Sequence, residues 1–165
     1  DWHPWEDYRQ GYSARKDLGG GIILDNHEFD CITWLLGPVD KMAGFKVQSG
    51  VLDINTEDVA CACFKMKTGA LVTLHVDYIQ RKAQRRYHIS GTLGTIKWDV
   101  SNDTVEVLTI NQGSSEIIEP LFNDINKMYM DQMTHVLEGV AGICSPLTPI
   151  TTARDVLSLQ INLAQ

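Results

Sequence analysis

The stretch Gly19-Gly20-Gly21-Ile22-Ile23-Leu24-Asp25-Asn26-His27-Glu28-Phe29-Asp30 changes character half-way, from glycines and aliphatic residues to a helical pattern. From Asp25 onward apolar side chains recur at helical spacing: Phe29, Ile32, Leu35 and Leu36. Asp25 is predicted as the N-cap of this helix, with Glu28 as its capping-box partner. Gly37-Pro38 is predicted to end the helix.

His27 lies at the predicted first turn of this helix, between the carboxylates of Asp25 and Asp30. The positive end of a helix disfavours the imidazolium form, and a neutral imidazole can accept a proton as a general base. Nearby carboxylates could orient the ring. The glycine run would let a ligand or another backbone approach closely. On spacing alone, the plainer alternative is favoured, in which Asp25 caps the helix and His27 is simply exposed.

The middle of the chain, roughly residues 42–119, is predicted to form at least six strands joined by tight turns. Lys67-Thr68-Gly69 is predicted as a hairpin loop that leads into a strand over 70–78. In that strand Val72, Leu74 and Val76 share one face, and the opposite face is more polar. Successive tight turns favour an antiparallel or mixed sheet.

Two further helices are predicted in the last forty or so residues. The first carries an apolar stripe at helical spacing that is predicted to be buried: Met130, Met133, Val136, Leu137 and Val140. The second follows Pro149, with Thr152 and Asp155 as a capping box. We therefore predict a single α+β domain over residues 1–165. Its open, mostly antiparallel or mixed sheet has at least six strands, with helices packed on one face.

Composition excludes several classes of partner. The 165 residues carry 14 Lys and Arg against 21 Asp and Glu, a net charge of −7, which argues against nucleic acid and anionic membranes. No apolar run approaches the roughly 20 residues that a membrane span needs. The sequence predicts a cytoplasmic protein with no nucleic-acid or membrane partner.

The four cysteines, Cys31, Cys61, Cys63 and Cys144, form no C-x-x-C pair and match no zinc spacing. Cys61 and Cys63 share one face of a strand, so a metal held between them is conceivable. Small core thiols in a reducing cytoplasm are the favoured interpretation, and no metal site is predicted.

Residues 12–30, followed by Trp34-Leu35-Leu36-Gly37, resemble the second domain of the glucose–fructose oxidoreductase and inositol dehydrogenase family (Gfo/Idh/MocA). The resemblance continues through residues 55–58, 67–71 and 89–96 and the closing helix pair, and covers nearly the whole chain. Its most specific part is the glycine run followed by His-Glu-x-Asp.

The resemblance implies an NAD(P)-dependent oxidoreductase acting on a sugar, amino sugar or polyol. This chain would be its C-terminal domain, which binds the substrate and forms a homodimer or higher homo-oligomer through its open sheet. NAD or NADP would be bound mainly by an N-terminal Rossmann domain that the chain lacks, so Asp1 would follow the crossover from that domain. The isolated fragment is not expected to be active, and no cofactor-binding residue is assigned in it.

By the same resemblance, His27 would be the proton acceptor and Asp25 its helper, with a Lys of the other domain completing the site. Tyr12, Arg15 and Lys16 would be candidates for substrate contact. In many members the aspartate precedes the histidine by four residues, whereas here it precedes by two. Asp25 therefore either assists His27 or only caps the helix.

Two other functions are compatible with the residues. One is a stand-alone, non-catalytic module that dimerises through its sheet or binds a carbohydrate. The other is a metal-dependent hydrolase or isomerase that uses His27, Glu28 and Asp30.

Overall fold

A run of antiparallel strands lies between helical segments in the computed structural model, which describes residues 5–24, 27–100, 104–111, 116–118 and 124–164. Three 3-10 turns, Tyr8–Gln10, Tyr12–Ala14 and Lys16–Leu18, come first. The helices are α1 (Glu28–Leu36), α2 (Ile125–Val140) and α3 (Ile150–Ala164). The strands are β1 (Val39–Val47), β2 (Val59–Met66), β3 (Leu71–Asp77), β4 (Arg86–Gly91), β5 (Gly94–Asp99), β6 (Thr104–Thr109) and β7 (Glu116–Ile118). The predicted α+β class is confirmed.

The described strands form two antiparallel sheets with sequential order, β1-β2-β3 and β4-β5-β6-β7. The predicted antiparallel pairing is confirmed, although the sequence predicted one sheet where the structure has two. The end of β3 gives the physical reason for the break. The carboxylate of Asp77 accepts the backbone N–H groups of Ile79 and Gln80 at 3.0 and 2.9 Å, so the chain turns there instead of continuing the ladder.

The chain folds as two compact units. The first unit comprises residues 1–80 and 148–165, and the second comprises residues 81–147. The first unit therefore contains β1–β3, α1 and α3, and the second contains β4–β7 and α2. The second unit is inserted in sequence between β3 and α3.

The core of the first unit is built on β2, where burial alternates residue by residue. Even-numbered side chains from Ala60 to Met66 are buried, whereas odd-numbered ones face solvent. Phe29 of α1 packs edge to face on Phe64 with ring centroids 5.5 Å apart. Val156 of α3 joins the same cluster. Both helices thus cover one face of the three-stranded sheet, as predicted for the sheet as a whole.

The open face of this sheet corrects the prediction for two cysteines. Cys61 and Cys63 are exposed, because side chains alternate between the two faces of β2 and the neighbouring Ala60 and Ala62 lie on the buried face. Phe45 pairs with Cys61, which in turn pairs with His75 on β3. The predicted core thiols therefore lie on the uncovered face. All four cysteines of the chain are free thiols.

The second unit corrects the prediction for the methionine stripe. Residues Met130, Met133, Val136, Leu137 and Val140 of α2 are exposed, by 51 to 83%. The helical period shows that α2 is amphipathic, but it does not say what covers the apolar face. In the sheet of this unit, Tyr87 on β4 stacks on Trp98 on β5 with centroids 4.9 Å apart.

Asp77 makes the stability of the first unit depend on pH. Burial of its carboxyl group acts to raise the pKa, but hydrogen bonds outweigh burial and hold the pKa below its usual value of 3.8. The donors are the side chain of Gln80 at 2.8 Å, His75 at 2.9 Å, and the two backbone amides. A depressed native pKa contributes stability above the unfolded value, and this stability is lost as pH falls through the native value.

We expect Asp77→Asn to lower the free energy of unfolding at pH 7, because the new amide NH2 group would face N–H groups that the carboxylate now accepts. The gap between wild type and variant should shrink as pH falls below about 4. Urea denaturation across a pH series measures it. Asp40→Asn is the control, since Asp40 is exposed and makes only a 3.9 Å ion pair with Lys65. A gap that stays constant down to pH 2.5 would contradict the assignment.

Candidate functional site

The predicted substrate-contact residues lie on an arm, residues 8–18, that folds back on the glycine run. The N–H of Gly20 donates to the carbonyl of Arg15 and the N–H of Gly21 to the carbonyl of Ser13, both at 3.0 Å. These bonds hold the three 3-10 turns against the segment that leads into α1.

The glycine run is required by close packing inside the protein. A Cβ on Gly20 would collide with the carbonyl oxygens of Tyr12 and Ser13, and one on Gly21 would collide with the carboxylate of Glu57. Gly19 has φ +81°, in the left-handed region. The sequence analysis left open whether a ligand or another part of the protein approaches these glycines. Protein groups occupy the space beside Gly20 and Gly21.

A loop over residues 53–58 holds the other side of the arm. The amide oxygen of Asn55 accepts the backbone N–H of Lys16 at 2.7 Å, and the N–H of Asn55 donates to the carbonyl of Ala14 at 3.2 Å. Thr56, buried to 4% exposure, donates its hydroxyl to the carbonyl of Ser13 at 3.2 Å. Sequence reasoning did not assign Asn55 and Thr56 to the site, because these contacts join segments about 40 residues apart.

His27 occupies the N-cap position of α1, one residue before the first helical residue, Glu28. Its carbonyl accepts the N–H of Cys31 at 3.0 Å. Its side chain is exposed, and no described residue hydrogen-bonds to the ring. The predicted N-cap at Asp25 is therefore wrong by two residues. Asp25 itself, the predicted helper of His27, lies outside the described residues.

The backbone that leads into His27 is anchored in the core. Ile22 and Ile23 are buried, and the side chain of Gln160 on α3 donates to the carbonyl of Ile23 at 2.9 Å. Gln160 is itself buried to 7% exposure. Phe29, two residues after His27, is buried on β2. His27 thus lies in the sequence between two core residues, Ile23 and Phe29, and its exposed imidazole is accessible to a bound molecule.

Tyr12, Arg15 and Lys16 are exposed on successive 3-10 turns of the arm. Arg15 is held by Asp17 through two bonds of 3.2 and 2.6 Å, an ion pair that raises the pKa of Arg15 and lowers that of Asp17. The ammonium of Lys16 pairs with no described residue. Lys16 therefore offers an unengaged cation, whereas the arginine fork is partly occupied by a carboxylate that the sequence analysis missed.

The structure does not support the metal-dependent alternative at α1. Among the described residues, the ligand atoms of His27, Glu28 and Asp30 are not brought within 4.8 Å of one another. Asp30 instead lies in the first turn of α1, where its carbonyl accepts the hydroxyl of Thr33 at 3.0 Å.

A family model described as the GFO/IDH/MocA C-terminal domain matches residues 1–97, more than half of the 165-residue chain. The chain belongs to the GFO/IDH/MocA family. The resemblance found in residues 12–30 is thereby confirmed. No curated protein sequence matches the chain.

Solved structures share the fold of this GFO/IDH/MocA chain at low identity. UDP-N-acetylglucosamine 3-dehydrogenase GnnA from Acidithiobacillus ferrooxidans has 19% identity and a TM-score of 0.72, over 87% of this chain and 46% of that one. Levoglucosan dehydrogenase in complex with NADH and levoglucosan has 14% identity and a TM-score of 0.80, over 93% of this chain and 51% of that one. An oxidoreductase from Agrobacterium radiobacter in complex with NAD+, L-tartaric acid and magnesium has 20% identity and a TM-score of 0.75, over 94% of this chain and 49% of that one. The chain spans about half the length of these proteins.

Within the part of the chain that the structure describes, no helix is both long enough and apolar enough to cross a bilayer.

We expect Gly20→Ala to destabilise the protein by about 1–3 kcal/mol, because the new methyl group must push apart the arm and the glycine run. Thermal and urea unfolding measure the loss. Gly91→Ala is the matched control, since its nearest neighbour would lie 3.8 Å from the added Cβ. Equal stability of the two variants would contradict the close packing described for Gly20.

Proposed function

We propose that this chain is the C-terminal, substrate-binding part of an NAD(P)-dependent oxidoreductase that acts on a sugar, amino sugar or polyol. The observation that carries the proposal is the exposed imidazole of His27, which lies between the buried residues Ile23 and Phe29 in the sequence of a GFO/IDH/MocA chain. The two named dehydrogenases of similar fold act on sugar derivatives, and one was solved with NADH. The two compact units together would form this C-terminal domain.

The glycine run does not fit a dinucleotide fingerprint. A dinucleotide fingerprint places its glycines between a strand and a helix, with free space beside them for the pyrophosphate. Here the glycine run follows a 3-10 turn, and protein groups fill the space beside Gly20 and Gly21. NAD or NADP would therefore be held mainly by residues outside these 165, in keeping with a chain that spans half of its structural neighbours.

His27 would accept the proton of the substrate hydroxyl, and the hydride of the carbinol carbon would go to the nicotinamide that NAD or NADP supplies. An imidazole suits this role, because its neutral form has a ring nitrogen that can accept a proton. Asp25, two residues earlier in the sequence, would orient the ring.

The arm would bind the hydroxyl groups of the substrate. The Lys16 ammonium offers three donors, and the Tyr12 hydroxyl offers a donor and an acceptor. The Asp17 carboxylate holds Arg15 in a fixed orientation, so the guanidinium N–H groups that Asp17 leaves uncovered can donate to a substrate oxygen.

We expect His27→Ala, in the protein that carries both halves, to lower turnover by about 10²–10⁴-fold, the usual contribution of a general base. Dinucleotide affinity should stay unchanged, because His27 contacts the substrate side. Steady-state kinetics and dinucleotide titration separate the two effects. His88→Ala, at an exposed histidine of β4, is the control. Unchanged turnover in His27→Ala would remove His27 from the mechanism. A wild type that shows no turnover would instead favour the non-catalytic carbohydrate-binding module.

We also propose that the protein forms a homodimer through the open face of the three-stranded sheet. The middle of this face carries small side chains, Ala43, Cys61, Cys63 and Thr73, paired across the three strands. Small side chains allow two sheets to approach closely, and a twofold interface buries the same patch on both copies. Phe45, 82% exposed beside this patch, supplies the large apolar contact.

Phe45→Lys should convert the dimer to monomer, because it would bury a charge against the same charge of the second copy. Sedimentation velocity over a concentration series measures the change. Leu93→Lys is the control, as Leu93 is 76% exposed in the turn between β4 and β5. A monomeric wild type, or a Phe45→Lys variant that still dimerises, would exclude this interface without affecting the role of His27.

A further inference from the structure

Three side chains with metal-ligating atoms meet at the end of α2, far along the sequence from His27. They are His135 and Glu138, one turn apart on the helix, and Cys144 in the loop that follows. Their ligand atoms all lie within 4.8 Å of one another, and Cys144 Sγ is 3.5 Å from His135 Nδ1. Within the described residues this is the one group of three such side chains.

The backbone after α2 brings Cys144 back onto the helix. Gly142 adopts φ +73°, a left-handed conformation that reverses the chain at the helix end. The N–H of Ile143 then donates to the carbonyl of Glu138 at 2.9 Å. Cys144 is therefore placed over the last turn of the helix by main-chain hydrogen bonds, and its position does not depend on a bound ion.

We propose that His135, Glu138 and Cys144 form a binding site for a divalent cation of the zinc class. Thiolate and imidazole select such ions, whereas magnesium and calcium prefer oxygen ligands alone. Zn–S and Zn–N bonds of about 2.3 and 2.05 Å at a tetrahedral angle place the two ligand atoms about 3.6 Å apart. The observed separation of Sγ and Nδ1 is 3.5 Å. Three protein ligands leave the fourth position to water.

The hydrogen bonds of His135 define the proton movements that binding requires. The N–H of Leu147 donates to His135 Nε2 at 3.2 Å, so without metal the ring proton is on Nδ1, facing Cys144. The thiol in turn donates to the carbonyl of His135 at 3.7 Å. When the metal binds Nδ1 and Sγ, the thiol proton goes to solvent and the ring proton moves from Nδ1 to Nε2. One proton is released, and the Leu147 bond is broken.

The open sheet face provides a matched comparison within the same chain. Cys61, Cys63 and His75 are exposed neighbours there, yet their ligand atoms do not form a group within 4.8 Å. The sheet face offers two thiols and an imidazole, a softer donor set than the one at the end of α2, which includes a carboxylate. The close approach of ligand atoms, and not softness, therefore distinguishes the end of α2. The sequence predicted no metal site because the four cysteines form no C-x-x-C pair and match no zinc spacing.

The first test is a titration of the metal-free, reduced protein with cobalt(II), followed by its thiolate charge-transfer absorption. We expect one equivalent to bind with this band in wild type and in the double variant Cys61→Ser, Cys63→Ser. Cys144→Ser should lose the band, and His135→Gln should weaken binding about 10-fold or more. Circular dichroism checks the folding of each variant. A wild type without the band, or a band that survives Cys144→Ser or disappears with the double variant, overturns the proposal.

The second test uses wild type alone and so does not depend on a folded variant. Long-range ¹H–¹⁵N spectra report which ring nitrogen of His135 carries the proton. We expect the Nδ1–H form without metal and the Nε2–H form after one equivalent of zinc, with a shift of the Leu147 amide. A ring that stays in the Nδ1–H form at saturating zinc overturns the assignment. Neither test involves His27 or substrate turnover, so both are independent of the proposed function.

Discussion

The alternation of side chains along β2 is the constraint on which the first unit depends. Every second side chain of residues 60–66 lies in the layer between the sheet and the helices. The small alanines among them leave room for Phe29 and Ile23 in this layer. Because these two side chains fill that space, α1 can begin only where it does. His27, at the turn between them, is left outside the core. The position of the candidate proton acceptor is thus a consequence of packing on the opposite side of the backbone.

The glycine run imposes a second constraint, which acts on the main chain. Without side chains at Gly20 and Gly21, the arm can lie directly on the segment that enters α1. Asn55 then fixes the arm from the other side through the N–H of Lys16. Positioning of the arm therefore rests on hydrogen bonds between backbone segments, and its exposed side chains remain available to contact a ligand.

Local periodicity predicted the elements well and their surroundings poorly. The hairpin at residues 67–69 and the helix containing Phe29 follow from patterns only a few residues long. The N-cap was placed at Asp25 because the capping-box pattern is local, whereas the start of α1 is set by burial of Phe29 against β2. Cys61 was assigned to the core because β2 is apolar on both faces. The exposure of Met130 depends on what lies beside α2 in space, which no sequence window contains.

The core of the first unit contains residues from two separate parts of the sequence. Val156 and Gln160 of α3 complete a core whose other members lie before residue 81. During synthesis, the three-stranded sheet therefore emerges from the ribosome before α3, because the residues of the second unit are made between them. Contacts of such large sequence separation are costly to form and slow a fold. The apolar face of β2 would stay partly open until α3 is made, an interval in which a chaperone has a surface to bind.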